Sequence, residues 1–170
     1  MATILSQAHL YLGTSMFGNI AEFKFPDTES VTTEYKPTDM LGSLDLPLGV
    51  KLSDSSIKFI GFSQTAYAEL ADFFKEHTIT VRGNLKVFNG ATLAKEIPVK
   101  GTIRATTKKI TPLGTLKGQE NAEFSVELNP IASKLEVNGK ILNEVDLVNN
   151  ILIVNGEDKL ATTRINLGLS

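Results

Sequence analysis

Proton transfer near neutral pH, or metal ligation, would fall first to the two histidines of this 170-residue sequence, His9 and His77. Neither belongs to an H-E-x-x-H pair or to any other ligand spacing. His77 follows a stretch with helical spacing, and the expectation is an exposed side chain near the helix C-terminus, where the dipole favours it. His9 stands beside Leu10 and Leu12 with no partner nearby in sequence. There is no cysteine, which removes thiolate nucleophiles, disulfides and thiolate-held metals together. Glu144 and Asp146, two apart and therefore on one face of a strand, are the nearest approach to an acid–base pair. A solvated or interfacial face explains them without a catalytic partner. The 13 glycines form no G-x-S-x-G elbow, phosphate loop or dinucleotide fingerprint. No enzyme, cofactor or metal site is expected.

Those residues sit on a chain whose elements read mainly as strands. Ile79, Val81, Gly83, Leu85 and Val87 alternate with Thr80, Arg82, Asn84 and Lys86. The same period of two recurs in Ile97–Ala105 and in Phe124, Val126 and Leu128. Asn-Gly pairs at 89–90, 138–139 and 155–156 predict type I′ hairpin turns, most clearly between Leu135-Glu136-Val137 and Lys140-Ile141-Leu142. Gly83 and Gly101, inside strands, mark a bulge or a close backbone approach rather than a ligand site. One helix is predicted from Gln64 to Glu76, capped by Ser63, with Ala66, Tyr67, Leu70, Phe73 and Phe74 as its core-facing stripe. A weaker helical pattern covers Asp158–Leu167. The expected fold class is mainly β, a two-sheet antiparallel β-sandwich or barrel with one packed α-helix, in a single domain spanning residues 1–170.

Charge narrows the partners. The net charge of −2 argues against a nucleic-acid binder, whose grip comes from lysines and arginines displacing counterions. Lys58, Arg82, Lys86, Lys100, Arg104, Lys108 and Lys109 are spread over polar strand faces, and no aromatic row interleaves with them. The first twelve residues lack a charged leader with a long apolar run, and no stretch of about 18 apolar residues occurs anywhere. A protein made and kept in a cytoplasm, with no membrane partner, is expected.

Residues 26–55 break the pattern: Pro37, Gly42, Pro47 and Gly49 interrupt them, and no helical period is sustained. They read as a long loop, well beyond the usual ~12–15 residues. Met40, Leu41, Leu44, Leu46 and Leu48 give it an apolar centre that water disfavours. Either the loop folds over its own core or its tip docks on another subunit.

From Leu135 to Leu169 the sequence LEVNGKILNEVDLVNNILIVNGEDKLATTRINLGL resembles the C-terminal third of the major tail tube protein family of contractile-tailed bacteriophages. The parts that carry the resemblance are L-E-V-N-G, the E-V-D-L-V-N run at 144–149, I-V-N-G ending at Gly156, and the terminal L-G-L. Leu10-Tyr11-Leu12, Gly18 to Phe23, Pro26 and the Met40–Gly49 loop extend it to the front of the chain. The start before Leu10 departs from the family in lacking a basic beginning. The resemblance implies a tail-tube fold and a structural subunit that closes into hexameric rings and stacks them into a hollow virion tube, after assembly in the host cytoplasm. It also implies sheath, tape measure, baseplate and tail terminator proteins as partners, with DNA passing without specific binding. On this reading Met40, Leu41, Leu44, Leu46 and Leu48 form an inter-subunit clamp. A conduit must not hold its cargo, so a neutral to acidic lumen is expected, with Glu123 and Glu127 in its lining. The tube of a phage-tail-like bacteriocin is the near alternative. A monomeric β-sandwich binding module is the alternative of another class, disfavoured by the absence of Trp and the presence of only 3 Tyr.

Overall fold

The computed structural model describes residues 1–18, 20–120 and 122–169. Asn19, Asn121 and Ser170 lie outside them. The expected period-two segments form long antiparallel strands: β1 (Ala2–Leu12), β7 (Glu76–Asn89), β8 (Thr92–Thr111) and β9 (Glu123–Val137). Shorter strands complete the sheet: β2 (Ser15–Phe17), β3 (Ile20–Lys24), β6 (Ser55–Ile60), β10 (Lys140–Asp146), β11 (Ile151–Val154) and β12 (Glu157–Asp158). Their order is β12-β11-β10-β9-β8-β7-β1-β2, with β6 on the first half of β9 and β3 on β6.

The two layers are thus parts of one ten-stranded sheet, joined through β8 and β9. The first half of β9 pairs with β6 and its second half with β10. A register shift separates the halves where Pro130 faces Ala105, and such irregularities bend a strand. Folding the sheet over brings Phe17 of β2 against Phe59 of β6, ring centroids 5.9 Å apart, and Phe59 against Phe124, 4.6 Å apart. Leu10, Ile57, Ile79, Ile103, Val126 and Leu128 fill the space between.

The helix α1 (Gln64–Leu70) covers this core with Ala66 and Leu70. Ser63 caps it as expected, its Oγ accepting from Ala66 N–H at 3.3 Å. It ends six residues earlier than the stripe predicts. The carbonyl of Leu70 accepts from Thr107 Oγ1 at 2.7 Å, and the N–H of Phe74, its partner had the helix continued, donates to Asp72 Oδ1 at 3.0 Å. A side chain on each side has replaced one helical bond. Phe73 and Phe74 are therefore exposed rather than core, and Tyr67, within the helix, is exposed as well. The second helix, α2 (Ala161–Asn166), lies within the weaker pattern.

Two of the three Asn-Gly turns have the expected form. Asn138 and Gly139, and Asn155 and Gly156, all have positive φ, as type I′ requires. At the third only Gly90 is left-handed; Asn89 pairs with Thr92, so the loop is Gly90-Ala91, the pattern of type II′.

Residues 26–55 are not a loop. They form a separate two-stranded hairpin, β4 (Thr28–Tyr35) and β5 (Leu44–Leu52), which stands off the main sheet as an arm of about 26 Å. At its base Ser53 N–H donates to Asp27 C=O at 2.9 Å, and Asp27 N–H to Ser53 Oγ at 2.7 Å. Just before it, Pro26 is buried and Phe25 packs over Gly101, where an added Cβ would lie 2.7 Å from the Phe25 ring and 2.9 Å from Val81. Gly101 thus marks a close approach, but of side chains rather than of the expected backbone. Gly83 marks another, a Cβ there falling 2.8 Å from Leu5.

Candidate functional site

The arm has two unlike faces. Pairing of Val31 with Gly49, Thr33 with Leu46 and Tyr35 with Leu44 places Val31, Tyr35, Leu44 and Leu46 on one side. All four are exposed. The other side carries Thr32, Glu34, Asp45 and Pro47. Between Val31 and Thr32 the register shifts by one, leaving Leu48 as an extra residue, 71% exposed. Leu41 at the tip is fully exposed and Met40 is half-buried. The five apolar residues singled out from sequence therefore share the outer part of one projecting hairpin.

The main sheet presents a polar face outward. Tyr11 and His9 of β1, Thr80, Arg82 and Lys86 of β7, Glu96, Lys100, Thr102 and Arg104 of β8, and Lys134 and Glu136 of β9 lie on it by register. Ion pairs cross it: Lys86–Glu96 at 3.9 Å, Arg104–Glu76 at 3.2 Å and Lys134–Glu136 at 3.2 Å. Glu123 and Glu127 are exposed on the opposite layer, where β9 pairs with β6.

Glu144 and Asp146 share a strand face as expected, but their surroundings differ. Glu144 is half-buried opposite Lys134, whereas Asp146 is buried in a network that orders the chain after β10. Its Oδ1 accepts from the backbone N–H of Val148 and of Asn149, both at 3.1 Å. Its Oδ2 accepts from Asn149 Nδ2 at 2.8 Å and from Arg104 at 2.5 Å. Burial pushes the carboxyl's pKa up, but the hydrogen bonds from Asn149, the Arg104 charge and the Val148 N–H outweigh it and hold the group below the usual Asp value. Every acceptor is committed, so the group is structural.

His77 is not exposed at a helix end. It is 3% exposed, belongs to β7 and points to the core side beside Ala105, its Nε2 3.3 Å from the carbonyl of Asp72. Early termination of α1 frees residues 71–75 to turn back, and His77 stitches that turn. His9 faces Arg82 on the outer face. Among the described residues no three of His, Asp and Glu converge as metal ligands, and no helix is long and apolar enough to cross a membrane.

Two features escape the sequence reading. One is the exposure of Tyr67, Phe73 and Phe74, whose helical spacing imitates a core stripe, with the exposed Phe62 against Tyr67 at 5.9 Å between ring centroids. The other is an open seam. β2 pairs only with Leu10–Leu12 of β1, leaving the edge from Ala2 to His9 unpaired among the described residues. Between this edge and β3 lies an apolar cleft of about 550 Å³ lined by Leu5, Met16, Phe17, Ile20 and Phe23. Strand edges in such a state are ready to pair with another chain.

A sequence profile of the family described as Phage tail tube protein FII matches residues 2–168. Among curated proteins none matches the chain. Solved structures share the fold at low identity. A chain in the cryo-EM structure of the PVC sheath/tube terminator, from an extracellular contractile injection system in its extended state, aligns with TM-score 0.53 and 12% identity, covering 77% of this chain and 94% of its own. A chain in the sheath-tube complex of the PVC system aligns with TM-score 0.53 and 13% identity, covering 76% of this chain and 88% of its own.

Proposed function

We propose, from the premise that this chain belongs to the phage tail tube protein FII family, that it is the repeating subunit of a contractile tail's inner tube, closing into hexameric rings that stack as a conduit for DNA. Its role is structural, not enzymatic. The observation that carries the assembly reading is the arm, a hairpin with an apolar face and no core of its own. An arm that buried Val31, Tyr35, Leu44 and Leu46 on a neighbour would gain the hydrophobic stabilisation that the isolated subunit forgoes.

Growth by stacking is head to tail, a contact that does not close and so extends a filament. Lateral closure would use the unpaired edge of β1. On this reading the sheath wraps the outside, baseplate and terminator proteins cap the ends, and the tape measure protein occupies the lumen during assembly. Glu123 and Glu127 are proposed lumen residues because acidic walls repel the phosphate backbone. The fold shared with an extracellular contractile injection system supports a second reading, a tube without a genome. Nucleic acid recovered from purified particles separates the two.

The test is negative-stain electron microscopy of the purified subunit at low and high concentration. Rings or hollow tubes are the expected outcome, and particles that stay monomeric at every concentration would overturn the reading. Leu44→Asp with Leu46→Asp should keep the subunit folded and abolish tubes, since the contact would bury two charges. Normal tubes from that variant would remove the arm from the interface.

A further inference from the structure

Among the described residues, six of the eight pairs of Asp, Glu, Lys and Arg that face each other across paired strands are of opposite sign. Glu22 faces Lys58, Glu29 faces Lys51, Lys86 faces Glu96, Lys100 faces Glu136, Lys109 faces Glu127 and Lys134 faces Glu144. Two registered pairs break the rule among the described residues. Glu34 faces Asp45 on the arm, and Arg82 faces Lys100 on the main sheet. Like charges placed directly opposite destabilise a sheet. Neither member of either pair has an ion-pair partner within 4.0 Å among the described residues; the nearest acid to Lys100 by register, Glu136, is taken by Lys134 at 3.2 Å.

The two exceptions have opposite signs and the same geometry, two side chains abreast on adjacent antiparallel strands. We infer that they are two halves of one contact, made between copies of this chain: Glu34 and Asp45 of one arm seat on Arg82 and Lys100 of a neighbour. Within one copy the arm is rooted on the opposite side of the sheet from Arg82 and Lys100. Phe25 packs against Gly101 and Val81 on the core side of the sheet, whereas Arg82 and Lys100, adjacent in sequence to them, point to the other side. The arm's two faces then divide the work, one supplying apolar burial and the other choosing the surface on which it lands. Charge complementarity of this kind fixes register and suppresses wrong docking.

This inference rests on the tube reading and adds the residue contact to it. The test compares four proteins by electron microscopy and sedimentation: the natural sequence, Glu34→Lys with Asp45→Lys, Arg82→Glu with Lys100→Glu, and all four changes together. Each reversal alone should raise the concentration needed for tubes at least tenfold, and the combination should bring it back to within a few-fold of the natural value. Tubes formed equally well by both reversals would overturn the contact while leaving the tube reading in place. A natural sequence that never leaves the monomer would overturn both. Because the chain has no cysteine, Asp45→Cys with Lys100→Cys provides a measurement independent of repacking. Oxidation should give a ladder of covalent oligomers, which neither single variant gives, and assembled tubes that yield no ladder would overturn the contact.

Discussion

Asp146 gathers four hydrogen bonds at the end of β10, and its removal would strand two backbone N–H groups and an amide and leave Arg104 with Glu76 alone. Asp146→Ala is expected to cost about 2 kcal/mol in the urea denaturation of the unassembled subunit. Its pKa is depressed in the fold, so its stabilisation is fully present above the ordinary Asp value of about 3.9 and is lost as pH falls through the lower folded value. Asp146→Asn should therefore flatten the fall of stability with pH below about 4, read from denaturation midpoints across that range. The sequence places Glu144 and Asp146 on one face through their spacing alone. It does not reveal that Arg104, 42 residues away, and Asn149 claim the second carboxylate, while the first only faces Lys134 across the strands. His77 is opaque for the same reason, because its burial follows from where the preceding helix stops.

At the level of elements, strands with one wet and one dry face declare themselves by alternation, and β7, β8 and β9 are legible for that reason. The arm is not, because both of its faces meet solvent and the extra residue Leu48 shifts the period halfway along β5. The helix is legible at its start, where Ser63 acts locally, and misleading at its end. There the decisive group is Thr107, on another strand. Thr107→Val should cost about 1 kcal/mol by leaving the Leu70 carbonyl without its partner, measured as a lower thermal midpoint. Gly101→Val is expected to be harsher, about 1–3 kcal/mol, because its side chain must displace Phe25 from the root of the arm. Limited proteolysis should then cut the 28–52 segment faster than in the natural sequence, while the core strands keep their protection.

For the whole molecule, the shared core of β1, β2, β6, β7, β8 and β9 makes one body, to which the arm contributes almost nothing. Replacing residues 28–52 by a short Gly-Ser linker between Asp27 and Ser53, which are already bonded, should leave a subunit that melts within a few degrees of the natural one and stays monomeric in sedimentation. The mainly β class and the family were visible in the hairpin signals and in the 135–169 stretch. What stayed hidden was that the two layers are one sheet, because strand pairing between β6 and the first half of β9 spans about seventy residues of sequence and leaves no local mark. The near-independence of the arm has a kinetic side. An isolated two-stranded hairpin is marginal in water, so on the proposed assembly each incoming subunit would settle its arm as it docks, and the first few would have no finished surface on which to do so. Tube formation should accordingly show a lag that shortens when sheared tube fragments are added as seeds. A cell could then hold a pool of soluble subunits without spurious tubes, with growth beginning only where a prebuilt end supplies the template.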